Sequence, residues 1–144
     1  LGFGIPPAMV AKIGAPERTV CMFSGDGGFQ MTIQELGTIM QEQIGVKMII
    51  LNNHFLGMVR QWQEMFFEER YSFTEMQNPD FVAIAKAYRI DGTEVLKRDD
   101  LDAAIADMLK DDKPYLLVVN VEKKGMVYPM MPAGASVTNI LLGE

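Results

Sequence analysis

Residues 19–23 (TVCMF) and 46–51 (VKMIIL) form two short, nearly unbroken apolar runs with a stretch of helical period between them. Such runs suit buried strands, and the second has the composition of a parallel strand covered on both faces. The first breaks at Ser24-Gly25-Asp26-Gly27-Gly28, where glycines permit a tight turn, so a strand ends at Asp26. The next segment opens at Thr32, with Glu35 three residues on as a capping box. It then sets Ile33, Leu36, Ile39, Met40 and Ile44 along one side, with Gly45 as its stop. The predicted unit is strand, helix, strand. Crossovers of this kind are right-handed and return the second strand parallel to the first. Asp26 and Asn53 therefore both emerge at the carboxyl edge of one sheet, where ligands bind in open α/β folds.

That edge has a specific spacing. A GDGGF sequence spans 25–29, and 24 residues separate Gly27 from the pair Asn52-Asn53. A carboxylate and an amide oxygen are hard donors suited to Mg²⁺, which completes its octahedral shell with phosphate oxygens and water. One carboxylate is a poor cage by itself, so the metal is expected to bridge the protein to a diphosphate. Gly27 and Gly28 would let backbone N–H groups approach the phosphates near a helix N-terminus. Alone, Asp26 would be a turn former and Asn52-Asn53 a strand-end cap; their joint spacing and flanks favour the site. A dinucleotide-binding domain is disfavoured, because Gly25-Asp26-Gly27-Gly28 lacks the G-x-G-x-x-G spacing.

The rest of the chain repeats the architecture. A helix is predicted near 7–13, ended by Gly14 and Pro16. Asn78-Pro79-Asp80 caps another that shows Phe81, Ile84, Ala85 and Tyr88 on one side. A weak strand at 91–95, a helix capped by Asp99 or Asp100 with Leu101, Ile105, Met108 and Leu109, and a strand at 115–121 complete the pattern. Alternating helices and strands predict a three-layer α/β/α domain with a mostly parallel sheet. The segment 54–77 mixes aromatics with charges, as in a helix that covers the site, either as a lid or as ordinary packing. Lone Cys21 reads as a reduced, buried thiol. His54, the only histidine, has the bland reading of a bystander ahead of a catalytic base. A net charge of -6 argues against a nucleic-acid surface, and no apolar run is long enough to span a membrane.

The GDG and NN pattern resembles the binding motif of thiamine-diphosphate enzymes. Asn52 to Gln63 (NNHFLGMVRQWQ) narrows this, since it resembles the NN-x-x-x-GMV-x-QWQ segment of acetolactate synthase large subunits. The opening LGFGIPPA is similar to that family's MGFGLPAA, and YPMMPAGA at 128–135 is similar to its PMVPPGA tail. The resemblance implies that Asp26, the Asn53 side chain and the Phe55 carbonyl bind Mg²⁺, and that Gly25, Gly27 and Gly28 lie against the diphosphate. Leu1, Gly2, Gly57, Met58 and Val59 would lie along thiamine diphosphate, and Trp62 would shape the pocket for the second 2-keto acid. Leu1 stands where the family has methionine, and His54 departs from the residue common there.

What the resemblance implies for the whole enzyme reaches further. The expected reaction condenses pyruvate with pyruvate or 2-ketobutyrate and releases CO₂, in branched-chain amino-acid biosynthesis. The glutamate that activates the cofactor would lie in a separate pyrimidine-binding domain across a dimer interface. FAD would bind a middle domain and not this chain, so no catalytic residue is assigned here. The expectation is a C-terminal cofactor domain over 1–144, with a tail at 122–144 that folds over the site mouth. It would be a fragment of a longer enzyme and inactive alone. Expected partners are the missing domains, further copies in a dimer or tetramer, and a regulatory small subunit. The expected location is the cytoplasm, or a plastid or mitochondrion in a eukaryote. Glyoxylate carboligase, pyruvate oxidase and a non-catalytic interaction module are the alternatives.

Overall fold

In a computed structural model, residues 1–143 are described. The elements run α1 (Ile5–Gly14), β1 (Val20–Gly25), α2 (Asp26–Gln30), α3 (Leu36–Glu42), β2 (Val46–Asn52), α4 (Gly57–Phe66), α5 (Phe81–Ala87), β3 (Asp91–Val95), α6 (Leu101–Met108) and β4 (Tyr115–Asn120). The four strands pair in the order β1-β2-β4-β3, every neighbour parallel. Register sets Gly25 beside Leu51 and Asn52 beside Asn120, so three strands finish together at the carboxyl edge.

Strand alternation sends the apolar side chains to two cores. Met22, Val46, Met48, Ile50, Leu116 and Val118 face a layer in which α1, α2, α3 and α5 contribute Ile5, Phe29, Leu36, Ile39, Phe81 and Ala85. On the other face Ile49, Tyr115 and Leu117 meet Ala104 and Met108 of α6. The three layers are therefore unequal, with one helix covering the second face. β1 lies beyond that cover: Cys21 is exposed and Phe23 is 67% exposed. The expectation of a buried thiol fails because, among the described residues, no element covers this side of the edge strand, and Cys21 and Phe23 face an open hollow beside α6.

Local signals deviate from expectation in four places, one being that Asp100, at the start of α6, makes no side-chain cap. Asp26 begins α2 directly after β1, so the glycines form a helical turn instead of a loop. The capping box does not form: the Thr32 hydroxyl donates to the Gly2 carbonyl at 3.1 Å, and a 3-10 turn precedes α3. Helix α3 stops at Gln43, which takes the left-handed conformation at φ 50°, two residues before Gly45. Asp80 does cap α5, accepting from the Ala83 N–H at 2.8 Å. The tail after β4 is irregular but anchored, since Gln61 of α4 exchanges hydrogen bonds with the Val127 carbonyl (3.0 Å) and N–H (2.8 Å). No helix of the described residues is long and apolar enough to cross a membrane.

Candidate functional site

The site forms where α2 leaves β1 and the 53–57 turn leaves β2. Phe29 of α2 packs edge-on against Phe81 of α5, with ring centroids 5.6 Å apart, and this fixes the helix that carries Asp26. Asp26 is 1% exposed. Burying a carboxylate is expensive unless it is hydrogen-bonded or paired with a cation. Among the described residues its one hydrogen bond comes from the neutral amide of Asn78, at 2.5 Å to Oδ2, and it joins no ion pair. A buried carboxylate that faces no protein cation among the described residues fits a bound metal ion.

The asparagine pair divides its work. Asn52, 4% exposed, accepts from Asn78 Nδ2 at 2.8 Å and donates to Asn120 Oδ1 at 3.2 Å. Asn53 serves the turn that follows, its Oδ1 accepting from the Phe55 N–H at 3.0 Å. A Cβ on Gly57 would lie 3.0 Å from Asn53 Nδ2, so this glycine leaves room for that side chain. The Phe55 carbonyl takes no hydrogen bond from the described backbone, because the bridge to Glu75 is made through the Leu56 N–H and the His54 carbonyl. Asp26 follows the end of β1, and Asn53 and Phe55 follow the end of β2; carboxylate and amide oxygens are the kind of donor that suits Mg²⁺. No cluster of three or more His, Cys, Asp or Glu suited to a metal occurs among the described residues, so a metal here needs ligands from outside that set.

The glycines prove to be packing positions as well. A Cβ on Gly27 would come within 2.8 Å of Leu56 Cδ2 and 3.1 Å of Met76 Sδ, and one on Gly28 within 3.1 Å of Ser24 Oγ. Gly2 takes φ +72° and its nitrogen lies 4.0 Å from that same point on Gly28, which brings the start of the chain to the site. Leu1, by contrast, is 95% exposed. Helix α4 extends from the turn with Met58 and Val59 half-exposed, while Trp62 packs on Phe66 with ring centroids 5.1 Å apart. Trp62, Val59, Gln63, Phe67 and Arg70 line an open hollow of about 470 Å³. In the aromatic segment Phe55 lies in the 53–57 turn, Trp62 and Phe67 line this hollow, and Phe73 is wholly exposed. His54 sits at φ 59° with Nε2 3.3 Å from Asn52 Nδ2, and it touches neither Asp26 nor Asn53 through a hydrogen bond.

Asn78 is the site residue that sequence pattern misses. Beside Pro79 and Asp80 it reads as part of a helix cap, yet Asp80 alone does the capping. Its 52-residue separation from Asp26 leaves no local signal of their contact.

The fold and this edge place the chain in a defined class. Residues 1–119 match the family described as thiamine pyrophosphate enzyme, C-terminal TPP binding domain, and the chain belongs to that family. The acetolactate synthase isozyme 2 large subunit of Escherichia coli is 46% identical over 142 residues, which is 98% of this chain and 26% of that protein. The mitochondrial acetolactate synthase of Schizosaccharomyces pombe is 43% identical over 144 residues, 100% of this chain and 22% of that protein. Among solved structures, the thiamine diphosphate-dependent 4-hydroxybenzoylformate decarboxylase of Rhodococcus jostii RHA1 superimposes with a TM-score of 0.79. It is 33% identical and covers 85% of this chain and 23% of the decarboxylase. The chain thus spans about a quarter of the length of the relatives it matches.

Proposed function

We propose that this chain is the diphosphate-holding half of an acetolactate synthase active site. In this reading Asp26, Asn53 and the Phe55 carbonyl hold Mg²⁺, and Gly25, Gly27 and Gly28 carry the diphosphate. Gly2, Gly57, Met58 and Val59 line the cofactor, with Leu1 ordered onto it by the rest of the enzyme. Trp62 borders the acceptor pocket. The bound cofactor supplies the electron sink for decarboxylating pyruvate and joining the two-carbon unit to a second 2-keto acid. This chain's residues bind and orient it. The activating glutamate, the FAD site and further copies belong to the remainder of the enzyme.

The observation that carries this reading is the buried, cation-free Asp26 in a chain aligned almost end to end with acetolactate synthases. Calorimetric titration with thiamine diphosphate, with and without Mg²⁺, tests it. Binding should require the metal and be lost in Asp26→Ala; metal-independent binding, or binding that survives the substitution, removes the assignment. The likeness to a decarboxylase keeps a second reading, another thiamine-diphosphate carboligase or decarboxylase. Product analysis of the full-length enzyme supplied with pyruvate separates the two: acetolactate supports the first, and its absence, with acetaldehyde or another product in its place, the second.

A further inference from the structure

The side chain of Asn78 occupies a junction between three elements. Its Nδ2 donates one hydrogen to Asp26 Oδ2 at 2.5 Å and the other to Asn52 Oδ1 at 2.8 Å. Its Oδ1 accepts from Gln30 Nε2 at 2.9 Å. The amide orientation follows from the partners: both neighbours of Nδ2 are acceptor oxygens, and Gln30 presents a donor to Oδ1. Gln30 lies four residues after Asp26 on α2, so the two side chains share one face of that helix and meet Asn78 together. Asn52 passes the network on through Asn120, whose Nδ2 donates to Glu94 Oε1 at 2.7 Å. The backbone of Asn78 is held in turn, since Pro79 follows it and Asp80 caps α5.

We propose that Asn78 is a positioning residue for the cation site, locking Asp26 through Oδ2 so that Oδ1 stays free and directed at the metal. The inference rests on the reading of Asp26 as a metal ligand and adds a residue to it. The choice of an amide is physically apt. A lysine or arginine at this place would neutralise Asp26 and compete with the cation, whereas a neutral donor fixes the carboxylate and leaves its charge available. Gln30 fixes which end of the amide faces Asp26. The same hydrogen bonds tie α2, the end of β2 and the start of α5 into one unit.

Mn²⁺ in place of Mg²⁺ gives a direct readout that does not depend on turnover. Titrating the full-length enzyme with Mn²⁺ at saturating thiamine diphosphate, and following free Mn²⁺ by electron paramagnetic resonance, should show binding weakened about tenfold in Asn78→Ala. Gln30→Ala should weaken it less, and the double variant should bind no more weakly than Asn78→Ala, because Gln30 acts only through Asn78. Gln30→Ala, which leaves Asn78 in place, keeps the test decisive if Asn78→Ala does not fold. Equal or tighter binding in Asn78→Ala would show the amide to be a plug or a packing contact and would overturn the proposal, as would additive effects of the two substitutions. Absence of Mn²⁺ binding by the unsubstituted full-length enzyme would overturn the metal-ligand reading of Asp26 itself.

Discussion

At Gly45 an added Cβ would lie 2.0 Å from the carbonyl oxygen of Asp112, far inside any allowed contact. Two buried lysines draw the turn at 111–113 this close. Lys12 Nζ donates to the carbonyls of Pro16 and Arg18 and pairs with Asp112 Oδ1 at 2.7 Å. Lys47 Nζ donates to the carbonyls of Asp111 and Lys113 at 2.8 and 2.5 Å. Burial holds the Lys47 pKa below its ordinary value, against the pull of Asp111 and Asp112. Because the obstacle to a side chain at Gly45 is backbone, Gly45→Ala should destabilise the fold by about 2–3 kcal/mol. Urea denaturation measures this, with Gly14→Ala as a control that does not destabilise, since a Cβ there meets nothing within 4 Å. Sequence marks Gly45 as a helix stop, but the stop is Gln43 and the need for glycine comes from a carbonyl 67 residues away. A local pattern carries no trace of such an approach. The same holds for Lys47, which interrupts an apolar run and whose ammonium nonetheless caps a distant turn.

Elements are legible where their signal is local. The two apolar runs become β1 and β2 because continuous hydrophobicity bounded by turn residues needs only neighbours to be recognised. Asp80 is read as a cap for the same reason. The contacts between elements are not legible, and the corner of α6, β3 and β4 is one example. Tyr115 donates to Asp107 Oδ2 at 2.7 Å and shares a hydrogen bond with Thr93 at 2.8 Å, while Lys110 donates to Asp107 Oδ1 at 2.7 Å. Hydrogen bonds from Lys110, and then from Tyr115, lower the Asp107 pKa below 3.8. The sign follows from linkage: with its folded pKa depressed, Asp107 stabilises the fold above the unfolded value of 3.8. That contribution is lost as pH falls through the lower folded value. Comparing urea midpoints of the parent and Asp107→Asn from about pH 2 to 5 should show the parent's advantage shrinking as pH drops. A difference that stays constant over that range would remove Asp107 from the acid limb.

For the molecule as a whole, the uneven layers leave a surface that water does not favour. On the side of the sheet away from the main core, α6 covers β2, β3 and β4, while Phe23 and Cys21 on edge strand β1 are left exposed among the described residues. Across the molecule, Phe3, Val10 and Ile13 of the first segment and α1 are between 65% and 79% exposed. Apolar patches of this kind mark interfaces in folded proteins, and an unpaired parallel edge strand is a further invitation to association. Since the chain matches about a quarter of each relative, these faces suit burial against the remainder of such an enzyme or against a second copy. Sedimentation velocity over a range of concentrations should therefore find the isolated chain self-associating. Phe23→Lys should shift it towards monomer, because a charge on the open edge strand makes pairing costly while touching neither core. Equal association in Phe23→Lys and the parent would move the contact to the α1 side, where Phe3→Lys would then be the substitution that disperses it.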